Sequence, residues 1–282
     1  MSSPDLPTPA LPPEIVLEAG RASAHYWRDL WRYRELAGLL AWRDIKVRYK
    51  QAALGVAWAV IQPAVQTILL TFVFGKLAKM PDGGVPYPLI VLTGLLPWQL
   101  FTGAFSGAGN SLVGNSHLIS KVYFPRLLVP LSCLAVALVD FSVMLALALP
   151  CIVIFGVAPG WQLLLLPLFV LLTLVIAFGA GLWVTALTVK FRDFRFITPF
   201  ILQIGVFVTP VGYRTDFMPN WRDLLALNPL AGVVDGMRWC LLGGRSDLYL
   251  PGLAVSCGVA AMLLISGVWY FRKTERQFAD II

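Results

Sequence analysis

Arg43-Asp44-Ile45-Lys46-Val47-Arg48-Tyr49-Lys50 runs directly into a long apolar stretch from Leu54 to Phe74. Four cations just before a run of that length mark the cytoplasmic flank of a first membrane span. The same eight residues make a basic amphipathic element, too polar to cross a bilayer and too apolar to leave it. Such an element suits a protein that receives something at the cytoplasmic surface.

Working outward, the composition agrees. The chain is 58% hydrophobic and 13% charged over 282 residues, where a soluble domain carries about 25% charged residues. The missing polar coat is what lipid-facing surface requires, so the class is integral membrane. The net charge of +7 would suggest nucleic acid on a soluble face, but here the cations cluster in particular loops, so no nucleic-acid partner is expected. Cys133, Cys151 and Cys257 lie in apolar runs and Cys240 stands alone; no C-x-x-C occurs, and His25 and His117 have no metal-ligand context. No metal site is expected.

Runs of roughly 20 apolar residues fall at about 53–75, 88–111, 127–156, 162–187, 196–213 and 249–271. The fifth is the weakest, interrupted by Gln203 and bracketed by Pro199 and Pro210. With both termini inside, sixteen Lys/Arg lie on the cytoplasmic side and six outside, which supports that orientation. The expected organisation is a disordered Pro-rich leader over 1–24, an amphipathic interface helix region over 25–52, a six-span domain over 53–271 and a cytoplasmic tail over 272–282. Between spans five and six, two short apolar helices broken at Asn228-Pro229 read equally well as a re-entrant hairpin capping a pathway or as a folded outer loop. Asn228, Pro229 and Trp239 are the candidate outer-gate residues.

No G-x-x-x-x-G-K-[ST] loop is present, so the chain does not bind ATP in that manner. Asp140 is the one clear acid within the spans. With no ionisable partner in mid-span elsewhere, it is expected to make an interhelical hydrogen bond in preference to relaying protons. Gly103-x-x-x-Gly107 and Gly179-Ala180-Gly181 read as close helix packing.

Three segments in order then carry a resemblance. They are Arg43 to Gln51 with Leu54-Gly55 and Ile61-Gln62-Pro63; Asn115 to Arg126, containing Lys121-Val122-Tyr123-Phe124-Pro125-Arg126, after Gly94-Leu95-Leu96-Pro97-Trp98; and Phe191-Arg192-Asp193 leading to Thr209-Pro210-Val211-Gly212-Tyr213 and Asn228-Pro229. From about residue 30 onward the chain resembles the transmembrane subunit of ABC-2-type polysaccharide exporters. The resemblance implies a homodimer in the bacterial inner membrane, joined to two copies of a separate ATPase that binds ATP and Mg, with no cofactor in this chain. It also implies that Asn115, His117, Leu118, Ile119 and Lys121 belong to a coupling helix docking into that ATPase. Leu118-Ile119 is the expected apolar knob.

A lipid-linked polysaccharide needs cations for its diphosphate and flat faces for its sugars. Arg43, Lys46, Arg48 and Lys50 are the head-group candidates, Arg for its bidentate geometry, against a background of anchoring to anionic lipid. Trp58, Trp98, Phe101, Phe105, Phe207 and Tyr213, with Phe72 and Phe200, are the candidates for a sugar channel, because aromatic rings offer broad apolar faces. The competing readings are an exporter of another amphiphile, such as a lipid or drug, and a membrane-embedded transferase on lipid-linked sugar. The transferase would need convergent carboxylates or a His. Asp44, Asp193 and Asp216 are scattered, each beside a cation.

Overall fold

Helices carry the whole architecture. The computed structural model describes residues 26–50, 55–119, 121–122, 124–158, 160–191, 193–275 and 278. The leader, His25, Gln51, Leu54, Ser120, Tyr123 and Arg192 lie outside the described residues, so the expectations placed on them stay untested. In chain order come α1 (Tyr26–Arg32), α2 (Arg34–Lys50), α3 (Gly55–Leu70) with a π-helical continuation Thr71–Leu77, α4 (Tyr87–Gly114), α5 (Ser116–Ile119) and α6 (Leu128–Ile154). A 3-10 turn Trp161–Leu165 then leads into α7 (Leu166–Lys190), followed by α8 (Phe194–Val208), α9 (Pro219–Ala226), α10 (Pro229–Leu241) and α11 (Leu250–Glu275). Proline opens several of them: Pro219 and Pro229 take the first helical position, where the absent N–H costs nothing.

Helix α4 is the hub. Leu89, Val91, Leu95, Leu96 and Leu100 on it are buried, and α3, α6, α7, α8 and α10 all pack against it. Small residues set how closely these helices approach. A Cβ at Gly179 of α7 would stand 2.6 Å from the α11 backbone at Leu263, and one at Gly267 would stand 2.4 Å from the Gly179 carbonyl. On α4, a Cβ at Gly107 would meet Cys133 of α6 at 3.1 Å. The glycine motifs thus serve helix packing within one chain.

Two apolar clusters divide the bundle along its length. One joins Leu40 of α2, Leu112, Ile119, Leu128, Leu182 and Phe271, where the ends of α4, α7 and α11 meet the start of α6. The other runs from Val85 and Leu89 through Phe141, Phe169, Val233 and Met237. The cation-rich helix α2 and the basic last turn of α11 belong to the first end, the expected cytoplasmic one.

Among the described residues, five helices are long and apolar enough to cross a membrane: Val60–Leu77, Tyr87–Gly114, Leu128–Ile154, Trp161–Lys190 and Leu250–Glu275. The expected fifth span, 196–213, is shorter than its sequence suggested. Helix α8 has 15 residues, about 22 Å against about 30 Å of hydrocarbon. Its helix stops at Val208 because Pro210 cannot donate to the helix and Thr209 turns extended.

Candidate functional site

Helix α2 meets the bundle along one stripe. Ala37, Leu40, Ala41, Asp44, Ile45 and Tyr49 recur at three- and four-residue spacing and are buried or half-buried, with α6 as the main neighbour. The opposite face presents Leu39, Trp42, Arg43, Lys46, Val47 and Lys50 around a shallow groove of about 350 Å³. Arg43, Lys46 and Lys50 therefore share one exposed face, as their spacing predicts, and Lys46 lies 5.1 Å from the Trp42 ring centroid.

Arg48 departs from that set. Its Nη2 lies 2.9 Å from Asp140 Oδ2, and the Tyr49 hydroxyl donates to Asp140 Oδ1. The intramembrane acid is thus satisfied by α2, and the head-group set shrinks to three uncommitted or partly committed cations. Sequence reasoning looked for the partner of Asp140 inside the other spans, whereas it sits on the helix that precedes them. Arg43 is partly committed too, donating through Nη2 to Asp44 Oδ1 and to Asn115 Oδ1, each at 2.7 Å.

Asn115 ends α4 and begins the candidate coupling turn. Its Nδ2 donates to the Ser111 carbonyl at 2.9 Å, while its own carbonyl accepts from Leu118 and Ile119 N–H at 3.0 and 3.1 Å. Asn115 thereby holds α5 through its backbone carbonyl and joins α4 to α2 through its side chain. His117 and Lys121 are exposed. The expected Leu118-Ile119 knob needs correction: Ile119 is buried in the cluster around Leu40 and Leu112, and Leu118 packs against it. The periodicity of a four-residue helix turns those two side chains inward, and Val122 is the exposed apolar residue instead.

At the opposite end the third motif converges on a residue that sequence reasoning passed over. Arg238 of α10 is fully buried. Its Nη2 donates to the carbonyls of Pro210 at 2.9 Å and of Val211 and Ile90 at 3.3 Å. Its Nη1 donates to the Tyr213 carbonyl at 3.3 Å and faces Asp235 Oδ1 at 3.4 Å. The other Asp235 oxygen accepts from Thr215 at 2.7 Å. Burial pushes the Asp235 carboxyl up and the Arg238 guanidinium down from their ordinary ranges, and each opposes that drift in the other. Carbonyls freed where α8 stops are thus bound by a guanidinium, which explains how broken backbone is tolerated there. The available signal was an Arg three residues after an Asp inside the apolar run Val233 to Leu242.

The gate candidates sit on α10 and its N-cap. Asn228 accepts from Leu230 N–H at 3.0 Å, capping α10, and donates to Thr209 Oγ1 at 2.9 Å. Pro229 starts α10. Trp239 is half-buried and meets Trp161 edge-on at 5.7 Å between centroids. Helix α10 packs on α4, α7 and α11, so it is an internal helix of the bundle, while α9 exposes Trp221 and Leu224.

The channel candidates separate by burial. Trp98, Phe101 and Phe105 form a ladder on α4 with centroids 5.8 and 5.3 Å apart, but Trp98 and Phe105 are buried within the protomer. The Trp98 ring fills the space that a Cβ at Gly205 of α8 would enter, at 2.7 Å. Those two rings therefore pack helices and present no face to a conduit; Phe101 is half-buried. Trp58 and Phe72 on the first span and Phe200 and Phe207 on α8 are exposed. Tyr213 is half-buried and meets the Phe74 ring at a tilt, 5.9 Å between centroids, tying the end of the first span to the segment after α8.

The family of ABC-2 type transporters matches residues 35–242. The chain is 27% identical over 259 residues to the O-antigen export system permease protein RfbA of Myxococcus xanthus, covering 90% of this chain and 98% of that relative. To an RfbA of Klebsiella pneumoniae it is 26% identical, covering 85% and 92%. To the polysialic acid transport protein KpsM of Escherichia coli it is 26% identical, covering 72% and 79%. The match spans the α2 groove, the α5 turn and the Arg238 network alike, and the chain belongs to the ABC-2 type transporter family.

Proposed function

We propose that this chain is the permease subunit of an ATP-driven exporter that moves a lipid-linked, O-antigen-like polysaccharide across the bacterial inner membrane. The observation that carries the reading is its near end-to-end similarity to permeases named for O-antigen export, 90% of this chain against 98% of one relative. No relative quoted above is named for drug or lipid export, so the alternative amphiphile has no support from them.

In this reading α8 is the fifth of six spans, short because its outer end rests on Arg238 instead of lipid, and both termini are cytoplasmic. Two copies of the chain meet a pair of separate ATPase subunits, which bind ATP and Mg. Helices α3 and α8 each pack on α4 and keep apolar faces uncovered. A short helix with an irregular end needs protein or a water-filled cavity on that side. The exposed Trp58 and Phe207 then line the conduit, Arg43, Lys46 and Lys50 receive the diphosphate, and the exposed His117, Lys121 and Val122 face the ATPase.

Co-purification with the partner ATPase tests this directly. Vanadate-sensitive ATP hydrolysis in the complex, and lipid-linked polymer accumulating inside cells that lack the chain, are the expected results. Failure to bind any nucleotide-binding subunit would overturn the reading.

A further inference from the structure

The junction of α1 with the end of α11 carries a cluster of aromatics and cations that neither the coupling turn nor the α2 groove uses. Trp27 and Trp31 lie one turn apart on α1 and are 55% and 72% exposed; Trp269 on α11 is 60% exposed. A cation stands over each of these rings: Arg272 lies 5.8 Å from Trp27, Arg34 lies 5.3 Å from Trp31 and Lys273 lies 5.1 Å from Trp269. Arg272 also caps the Tyr26 ring at 4.5 Å. One acid of this junction, Glu275, turns inward, accepting from the Tyr26 hydroxyl at 3.3 Å and from the Arg126 N–H at 3.0 Å. Arg34 and Lys273 are exposed and Arg272 is half-buried.

Depth identifies the occupant. Helix α11 has 26 residues, about 39 Å of rise against about 30 Å of hydrocarbon, so its last turns lie among the lipid head groups. Indoles prefer that level, and cations there attract anionic lipid. We infer that Trp27, Trp31, Arg34, Trp269, Arg272 and Lys273 form a binding surface for anionic phospholipid, clamping α1 and α11 to the cytoplasmic leaflet. The indoles would rest on the glycerol and upper acyl region while the three cations bind the phosphate. The inference depends on the chain spanning the membrane and not on which polymer it exports.

The test uses the full chain in nanodiscs containing brominated phosphatidylglycerol or brominated phosphatidylcholine, read by tryptophan quenching. Phosphatidylglycerol is expected to quench at a concentration at least about fivefold lower than phosphatidylcholine, as cations at a leaflet surface predict. The triple change Arg34→Gln, Arg272→Gln, Lys273→Gln should bring the two lipids to parity. The charge-preserving set Arg34→Lys, Arg272→Lys, Lys273→Arg should keep the preference, separating loss of binding from loss of fold. Equal quenching by both lipids in the unmodified chain, or an undiminished preference in the Gln variant, would overturn the proposal. So would complete protection from phosphatidylglycerol on binding the partner ATPase, which would assign the surface to protein.

Discussion

Two arginine–aspartate pairs, one where α8 ends and one midway along α6, do opposite work. Arg238 and Asp235 sit within one helix, with side chains 0% and 6% exposed, and the arginine is shared among four backbone carbonyls. Arg48 and Asp140 join two helices, 56% and 22% exposed, through a 2.9 Å contact. The first is enclosed and satisfied from several directions, so it defines where α8 ends and how α10 seats. The second lies at an open seam where water or head groups can replace either partner. A buried guanidinium that loses one contact leaves several groups orphaned, whereas an exposed one exchanges partners at small cost. The Arg238 end is therefore the rigid part of the bundle, and the α2 seam is the adjustable one.

The sharpest way to break that contrast is Arg238→Met. It should destabilise the folded chain by about 3–5 kcal/mol, because Asp235 and the carbonyls of Pro210, Val211 and Tyr213 lose their partner. Thermal unfolding in detergent would read this as a large drop in Tm, and an unchanged Tm would mean the network is dispensable. Second comes Gly179→Val, which forces a side chain against the α11 backbone and should cost about 1–3 kcal/mol by overpacking. Gly103→Ala, whose added Cβ would meet Ala137 at an ordinary 3.5 Å, should be close to neutral in the same assay. Third, Asp140→Asn should cost no more than about 1 kcal/mol, yet free the end of α2, which hydrogen exchange over α2 would register as faster exchange. Smallest in stability are Trp58→Ala and Phe207→Ala, within about 0.5 kcal/mol as exposed positions. Their expected effect is on export rate, measured by polymer appearing outside the membrane.

Much of this was legible in the sequence, and the failures have physical causes. Long apolar runs located five of the six expected spans, since lipid leaves few other solutions for such segments. The break at Asn228-Pro229 was visible because Pro229 opens a helix and Asn228 caps it. Arg238 was missed because a count of charges by side treats each cation as a topological marker, and only the fold brings Ile90, Pro210 and Val211 to it. Trp98 and Phe105 were placed on a channel wall because ring chemistry is the same in a core as in a conduit; burial alone separates them. The Leu118-Ile119 pair points inward because the turn is too short for its sequence to declare a face.

The central claim is that the uncovered sides of α3 and α8 form one half of a conduit completed by a second copy. The most direct measurement is disulfide cross-linking of Ile204→Cys on α8, in a chain whose four native cysteines are replaced by serine, within the assembled ATPase complex. Leu171→Cys, equally apolar and 58% exposed on α7, serves as the lipid-facing control. Covalent dimers from Ile204→Cys and none from Leu171→Cys are predicted. Monomers alone from Ile204→Cys, or dimers in equal yield from both positions, would contradict the account.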